Sequence, residues 1–382
     1  MNRITRLKIE NFRRLKSLDL EMRPLGVMVG ANGCGKTSIF DALSLLKAAV
    51  EGKLSERMSE LGGFTSNLTL DGSETMTFGI EVTLDLNDTN DETEDLYKHY
   101  YELKFKQEGL DFIRVNEFFQ QTYQGKTEEK NIPFPKEKTS QRRALIRLPQ
   151  EADDRRFSST SVEPFRMVLR NSMCFQMLQT DKKSPVRLPQ QIAPEFLPKQ
   201  GGENLLSVLY NLREQQPEAY DEIIDTLKIA FPGFESLALP NVAAGMMSLA
   251  WNDRNFRNAL YQHQMSEGML RMLWLTTILL NPHLTPLTMI DEPEVSLHPE
   301  LLAILTGCFR KATAYTQLLA ATHSTDLIRN LHPSEVLVMD MDENGMTSAR
   351  WGDDPELNLD DWLKDYTLGD VWQMGLLGGR AS

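Results

Sequence analysis

The start of the chain shows two hydrophobic patterns, one typical of β-strands and one typical of a helix. Apolar and charged residues alternate over 7–9 and 18–22, on either side of a polar turn at 11–14, which predicts a β-hairpin. A continuous apolar run at 25–29 then predicts a buried strand that leads into a glycine-rich turn. Beyond this turn, apolar residues recur at helical spacing, namely at Ile39, Phe40, Leu43, Leu46 and Val50.

The last third of the chain alternates helical and strand patterns. Apolar residues have helical spacing at 204–212 and 219–229, and short apolar runs at 287–290, 317–321 and 336–339 predict strands. Helices that alternate with short buried strands are typical of a mostly parallel sheet. The sequence therefore predicts an α/β fold that combines a mostly parallel sheet with an N-terminal antiparallel β subdomain.

The middle of the chain has a different composition, and we expect it to form an inserted subdomain. A strand is predicted at 75–86, after which the chain is acidic at 85–95 and rich in lysine, arginine and proline at 126–147. The basic stretch is either a solvated loop or a contact for a nucleic-acid backbone or a partner. Short runs of Tyr, Phe and Val favour strands, and the lack of sustained heptads excludes a long coiled-coil arm. The predicted segments are 1–84 and 201–382, as the two halves of the main domain, and 85–200 as the insertion.

Composition limits the classes of function. The 382 residues carry a net charge of −13, which argues against a protein that coats nucleic acid over its whole surface but leaves room for a local basic patch. The three cysteines, Cys34, Cys174 and Cys308, form neither a disulfide framework nor paired zinc ligands, so we expect a reducing, cytoplasmic setting. The most apolar run, at 269–280, is too short to span a bilayer, and no membrane association is expected.

A phosphate-binding loop is the clearest chemical signal in the sequence. Residues 30–37 read GANGCGKT, which fits G-x-x-x-x-G-K-[ST] between a predicted strand and a predicted helix, the context that this pattern requires. Glycines let the backbone turn tightly, so that N–H groups and the helix N-terminus converge on a β-phosphate. Lys36 neutralises phosphate oxygens, and Thr37 offers a hydroxyl to Mg²⁺. The predicted triphosphate-binding residues are Gly30, Ala31, Asn32, Gly33, Cys34, Gly35, Lys36, Thr37 and Ser38.

Two adjacent carboxylates end the predicted strand at 287–290. Ligands bind at the C-terminal ends of strands in an open α/β sheet, so we assign Asp291 to Mg²⁺ and Glu292 to the activation of water. For Cys34, inside the glycine-rich loop, both a redox role and simple tolerance of a small residue remain open.

Several motifs together resemble a known family. IDEPEVSLHPELL at 290–302, preceded by SEGMLRML at 266–273 and followed by ATHS at 321–324, resembles the Walker B, D-loop, signature and His-switch series of ABC-type ATPases. Among these ATPases the resemblance is to the RecF, SMC and OLD-like group, often described as AAA-family ATPases. The opening ITRLKIENFRRLKSLDLEM and GGENLLSVLYNL at 201–212 are similar to the first hairpin and the middle helix of that group.

The resemblance implies a P-loop ATPase head that forms a homodimer, or a higher oligomer, around ATP and Mg²⁺. Ser266 and Gly268 would form the signature loop that contacts the γ-phosphate held by the neighbouring head, and Ser266 is also a good N-cap for the helix that follows. His323 would act as the switch at the γ-phosphate and the attacking water. Arg271 either reaches phosphate or solvates its helix, and His298 is expected to start the helix after the D-loop. The catalytic residues are thus Lys36, Glu292 and His323.

One expected contact has no clear residue in the sequence. The segment 62–64, where the Mg²⁺-contacting Q-loop is expected, contains no glutamine, and Gln176 is a weak alternative.

Two functions compete at this point. The first is an ATPase that couples turnover to the sensing or clamping of DNA, in phage defence or DNA maintenance. OLD-like relatives carry a nuclease domain after the His-switch, but only about 60 residues follow it here, so a separate nuclease or toxin is the expected effector. The second is an ATP-gated regulatory scaffold that holds and releases an effector protein without direct DNA binding. A transporter ATPase is disfavoured by the altered signature and the long insertion.

Overall fold

The computed structural model describes residues 2–71, 73–85, 96–109, 111–123, 126–133, 159–243 and 245–377. The described strands are β1 (Arg3–Phe12), β2 (Leu15–Glu21), β3 (Leu25–Val29), β4 (Thr75–Asp85), β5 (Leu96–Glu108), β6 (Asp111–Tyr123), β7 (Lys126–Pro133), β8 (Met173–Phe175), β9 (Gln190–Gln191), β10 (Phe234–Ala238), β11 (Asn241–Ala243), β12 (Met246–Met247), β13 (Ala250–Asp253), β14 (Leu260–Tyr261), β15 (Leu287–Asp291), β16 (Gln317–Thr322), β17 (Val336–Met341) and β18 (Thr347–Trp351).

The helices of the described part are α1 (Lys36–Glu51), α2 (Leu54–Glu60), α3 (Phe64–Asn67), α4 (Ser159–Arg170), α5 (Leu205–Gln215), α6 (Pro217–Ala230), α7 (Glu267–Leu279), α8 (Pro299–Ala312), α9 (Thr325–Ile328), α10 (Leu359–Trp362) and α11 (Leu368–Gln373). The chain divides into two compact units. Unit 1 comprises Met1–Met173, Pro333–Asp361 and Met374–Ser382, and unit 2 comprises Cys174–His332 and Trp362–Gln373.

Unit 1 contains a six-stranded antiparallel sheet with the strand order β2-β1-β4-β5-β6-β7. The predicted hairpin is confirmed: Leu7 pairs with Leu20 and Ile9 with Leu18, so the apolar positions of both strands share one face. These side chains are buried, whereas the charged residues between them are more exposed.

Aromatic packing consolidates the buried face of this sheet. The Phe12 and Phe78 rings pack edge-to-face with centroids 5.3 Å apart, and Phe78 lies 6.1 Å from Phe105 on the next strand. All three side chains are buried. Burial of an aromatic side chain of this size contributes roughly 1.5–3 kcal/mol, so this cluster stabilises β1, β4 and β5 together.

The sheet connects parts of the chain that the sequence assigns to different segments. Strands β5 to β7 belong to the predicted insertion, yet they extend the sheet that β1, β2 and β4 begin. The first residues of the basic stretch form strand β7, paired antiparallel with β6, so this part is not a loop. Its remaining part, 134–147, lies outside the described residues. The functional division into 1–84, 85–200 and 201–382 stays a prediction.

A second group of strands in unit 1 precedes and flanks the predicted phosphate-binding loop. Strand β3 is buried at all five positions and pairs parallel with β17, which also pairs antiparallel with β18. Because both faces of β3 are covered, its sequence is continuously apolar instead of alternating. Helix α1 follows the loop and buries most of its residues. The predicted strand at 25–29 and the helix after it are confirmed.

Unit 2 supplies the remaining predicted strands and helices. Strands β15 and β16 pair parallel, with Asp291 opposite Ala321, and the helical predictions at 204–212 and 219–229 correspond to α5 and α6. Helix α7 is buried at every position over 270–279, because it packs against α5, α6 and α8. Among the described residues, no helix has the length and apolar character needed to cross a membrane. The predicted α/β fold, with an antiparallel N-terminal sheet and a mostly parallel sheet, is confirmed.

Candidate functional site

The glycines of the phosphate loop are required by close approaches and by backbone conformation. A Cβ atom on Gly30 would lie 2.3 Å from the Met339 carbonyl oxygen, so no larger residue fits at the end of β3. Gly33 and Gly35 have φ values of +78° and +101°, in the left-handed region that favours glycine. The Thr347 hydroxyl also donates a hydrogen bond to the Cys34 carbonyl oxygen (2.7 Å). The loop is therefore tightly turned, and a hydrogen bond from Thr347 holds its backbone.

Lys36 and Thr37 begin helix α1 at the end of this loop. The Lys36 ammonium is buried and donates to the carbonyl oxygens of Gly30 (2.6 Å) and Ala31 (3.3 Å), so its charge is held against the loop. Thr37 is exposed, and the first turn of α1 contains no acidic residue. An anion at this helix N-terminus would meet N–H groups, the helix dipole and one ammonium. These features fit a bound triphosphate.

Cys34 packs inside the loop. Its side chain is buried, with Sγ 4.0 Å from Lys36 Nζ, and burial raises the pKa of its thiol. A buried thiol of raised pKa is a poor nucleophile. The geometry therefore favours the packing interpretation of Cys34 over the redox one.

In unit 2, the ends of two parallel strands bring three of the predicted site residues to one edge. Asp291 ends β15 and pairs with Ala321 on β16, the Glu292 amide donates to the Ala321 carbonyl oxygen (2.9 Å), and His323 follows β16 directly. Asp291 and His323 are half-buried, and Glu292 is exposed. Three of the predicted side chains thus come from adjacent strand ends, as the rule for open α/β sheets predicts.

A small cleft beside these acids contains a glutamine. Its lining includes Asp291 and Glu292 together with Gln176, Arg271 and Trp274. Gln176 comes directly after β8, a short strand that was not predicted. Gln176 is the alternative that the sequence offered for the Q-loop, and it stands immediately after the apolar end of a strand. The expected position of the Q-loop, 62–64, leads instead into α3 in unit 1.

The signature segment begins helix α7 as predicted. Ser266 is its N-cap, with Oγ accepting a hydrogen bond from the Met269 amide (3.3 Å), and the residue itself is exposed. Gly268 lies against the D-loop, the segment at 293–297 between Glu292 and His298. A Cβ atom on Gly268 would be 2.9 Å from the Ser296 carbonyl oxygen.

The structure decides against one of the two alternatives for Arg271, that of a residue that solvates its helix. Its side chain is buried, forms an ion pair with Glu267 (2.7 Å), and donates to the Val295 carbonyl oxygen (3.2 Å). Burial lowers the pKa of Arg271, and the adjacent Glu267 carboxylate opposes this effect. The guanidinium therefore fastens the signature helix to the D-loop and does not solvate the helix.

The D-loop contains a carboxyl group that sequence reasoning did not select. Glu294 Oε1 accepts hydrogen bonds from the Thr322 hydroxyl (2.6 Å) and from the His323 amide (3.0 Å). Burial raises the pKa of Glu294, although these two hydrogen bonds act in the opposite direction. At the end of the loop, His298 is the N-cap of α8 and Pro299 its first residue, which confirms that His298 starts the next helix.

The two residues predicted to bind Mg²⁺, Thr37 and Asp291, each have an oxygen of the kind that this ion prefers. Within the described ranges, no group of three or more His, Cys, Asp and Glu side chains has the geometry of a protein-only metal site. Mg²⁺ usually binds through one or two protein oxygens together with substrate phosphates and waters. In unit 1, the exposed Thr37 has a hydroxyl oxygen, and in unit 2, the half-buried Asp291 has a carboxylate oxygen.

Comparison with known proteins places the chain in a family. Residues 26–329 match the family described as "AAA domain, putative AbiEii toxin, Type IV TA system". No curated protein matches the sequence. The fold is similar to that of an Smc head bound to the C-winged helix domain of ScpA, with 12% identity and a TM-score of 0.54, over 93% of this chain and 99% of that one.

A second solved structure gives the same result. It is the Smc head domain with an extended coiled coil bound to the C-terminal domain of ScpA derived from Pyrococcus furiosus, with 11% identity and a TM-score of 0.50, over 96% of this chain and all of that one. At such low identity the likeness shows the fold alone. The family match, by contrast, covers well over half of the chain. The chain therefore belongs to this AAA-domain family of P-loop proteins and has the fold of an SMC head.

Proposed function

We propose that this protein binds and hydrolyses ATP, and that hydrolysis occurs when two heads associate around the nucleotide. The observation that carries the proposal is the shared edge of β15 and β16, where Asp291, Glu292 and His323 come together. Hydrolysis of a phosphoanhydride needs a ligand for a metal ion, a base for water and a donor for the developing charge. These three groups supply the three roles.

Each residue has a defined task in the proposed reaction. The loop amides and Lys36 bind and orient the triphosphate, and Glu292 accepts a proton from the attacking water. His323 donates a hydrogen bond to the γ-phosphate. Thr37 and Asp291 are the residues that would hold Mg²⁺, which would neutralise phosphate charge when bound. Gln176 shares the cleft with both acids. It would contact the metal or its waters, the role for which the sequence offered no clear residue.

The exposed signature loop supports association of two heads. Ser266 and Gly268 stand at the N-terminus of α7, where backbone N–H groups and the helix dipole favour an anion. We propose that this loop contacts the γ-phosphate bound by a second copy of the chain. ATP then joins the two heads, and hydrolysis separates them.

Replacement of the proposed base tests the reaction. Glu292→Gln is expected to bind ATP as the wild type does, to lose turnover, and to accumulate an ATP-bound dimer that light scattering detects. Glu300→Gln is the matched control, because Glu300 is an exposed acid at the start of α8 and should retain turnover. Normal turnover in Glu292→Gln would remove Glu292 as the base.

The process that ATP hydrolysis drives is the sensing or clamping of DNA, with a separate effector protein, in phage defence or DNA maintenance. The ATPase rate, measured with and without single- and double-stranded DNA, tests this coupling. Stimulation of several-fold is expected, and an unchanged rate contradicts it.

A second candidate is an ATP-gated scaffold that holds an effector protein. The family description names a type IV toxin–antitoxin system, and both similar Smc heads are bound to a ScpA domain, which favours a protein partner. ATP-dependent capture of the product of a neighbouring gene, with no effect of DNA on turnover, would favour this candidate.

A further inference from the structure

Glu294 accepts hydrogen bonds from both residues that flank the peptide bond leading into the predicted switch residue, namely from the Thr322 side chain and the His323 backbone. It belongs to the D-loop, two residues beyond Glu292, but its carboxyl group is directed to the end of the neighbouring strand. One oxygen, Oε1, accepts from both the Thr322 hydroxyl (2.6 Å) and the His323 amide (3.0 Å). The other oxygen, Oε2, is buried and has no hydrogen-bond partner among the residues that the structure describes.

His323 stands in a short irregular segment that depends on side-chain hydrogen bonds. Strand β16 ends at Thr322 and α9 begins at Thr325, so the His323 amide lies outside regular secondary structure. The Ser324 amide donates to Thr322 Oγ1 (3.0 Å), and Ser324 Oγ caps α9. Because Thr322 Oγ1 also donates to Glu294, the carboxyl group fixes the hydroxyl that orients the next turn.

The loop that carries Glu294 is itself fixed at several points. The Val295 amide donates to the Glu292 carbonyl oxygen (3.3 Å), and the Leu297 amide donates to that of Glu294 (3.0 Å). From α7, Arg271 holds the Val295 carbonyl oxygen (3.2 Å). A carboxyl group on such a rigid loop can define the position of a neighbouring residue.

We infer that Glu294 is a positioning residue, which holds the His323 backbone and thereby sets the distance between the imidazole and the water that Glu292 activates. The inference rests on the proposed ATPase function and adds to it a residue that touches neither nucleotide nor water. It differs from two other roles for this acid. A base or metal ligand would need its negative charge, whereas a purely structural acid would affect folding but not turnover.

Two substitutions separate these roles. Glu294→Gln keeps an oxygen that accepts both hydrogen bonds, while Glu294→Leu removes the acceptor. We expect Glu294→Leu to lower kcat about 10- to 100-fold with little change in the KM for ATP, because small displacements of catalytic groups have effects of this size. Glu294→Gln should retain most of the wild-type kcat. Glu300→Leu is the control, since this exposed acid lies in the same region.

A double-mutant cycle shows whether Glu294 acts through His323. If it does, Glu294→Leu should cause no further loss of kcat in a His323→Ala background. The inference would be overturned if the fold-losses of kcat in the two single variants multiply in the double variant. It would also be overturned if Glu294→Gln is as inactive as Glu294→Leu. A Glu294→Leu variant that folds and turns over at the wild-type rate would also overturn it.

Hydrogen exchange gives a readout that does not depend on turnover. The amide of His323 should be protected in the wild type and in Glu294→Gln, and should exchange faster in Glu294→Leu, as followed by mass spectrometry of peptides that cover 321–328. Equal exchange in all three proteins would overturn the inference even if they hydrolyse ATP. If the wild type does not hydrolyse ATP, the proposed function fails, and the exchange result still decides whether Glu294 holds His323.

Discussion

The imidazole of His99 gives the stability of the antiparallel sheet a defined dependence on pH. His99 lies on β5 and is fully buried, with its ring centroid 5.4 Å from that of Phe119 and 6.1 Å from that of Phe165. Burial lowers its pKa from 6.5 to about 4, and Gln121 on the neighbouring strand offsets only part of this effect. The folded protein therefore keeps His99 neutral at pH values where an unfolded chain would protonate it.

The sign and size of the effect follow from proton linkage. As the pH falls, the unfolded chain binds a proton at His99 before the folded chain does, so acidification favours unfolding. The stability that the neutral imidazole provides is complete above about pH 6.5 and is lost as the pH approaches about 4. At about 1.4 kcal/mol per pKa unit, the loss is roughly 2 kcal/mol between about pH 7 and about pH 5.

Urea unfolding at these two pH values, followed by circular dichroism, measures the effect. His99→Leu removes the titrating group and keeps a buried side chain of similar volume, so this variant should lose about 2 kcal/mol less than the wild type on acidification. His263→Leu is the control, because it removes an imidazole from an exposed position. An equal loss in His99→Leu and the wild type would refute the reasoning.

Three further predictions concern the candidate site. Lys36→Ala should weaken ATP binding at least about 100-fold, because two or more charge-assisted hydrogen bonds to phosphate are lost; a fluorescence titration with unchanged affinity would contradict this. Ser266→Arg should leave ATP binding by the single head intact and abolish the ATP-dependent dimer in light scattering, whereas a wild type that stays monomeric with saturating ATP would refute the shared site. Gln176→Ala should raise the Mg²⁺ concentration needed for half-maximal turnover, with ATP affinity little changed, and an identical Mg²⁺ dependence would remove Gln176 from the metal site.

The elements predicted correctly are those whose burial can be read from the sequence. Strands β3, β15 and β16 are buried on both faces and appear as continuous apolar runs, and the hairpin alternates because one face is covered. Strand β7 has the sequence KTEEKNIP, in which neither face is apolar, so its pairing with β6 could not be predicted. Strands of two or three residues, such as β9 and β12, give no periodic signal at all.

In the candidate site, too, the features that arise from consecutive residues were predictable, and the contacts between distant residues were not. The phosphate loop is predictable because its geometry arises within eight consecutive residues, and the acids at 291 and 292 follow from the strand that ends there. The contacts of Glu294 and Arg271 join residues 28 and 24 positions apart in the chain, so no local pattern reveals them. Gln176 lies more than 100 positions before these acids in the chain, so only the folded structure shows that it lines the same cleft.

The backbone around the proposed base is the strongest case of tertiary structure overriding local preference. Glu292 and Ser296 have φ values of +48° and +61°, a conformation that costs a residue other than glycine roughly 1–3 kcal/mol. It is maintained by the bond from the Glu292 amide to Ala321 and by the close approach of Gly268 to Ser296, where a Cβ atom would not fit. The signature glycine thus has a role within its own head, apart from any contact with a second one. Because the D-loop lies between this glycine and His323, a larger residue at 268 should displace both Glu292 and the switch, and the loss of turnover should not be reversed by a higher ATP concentration.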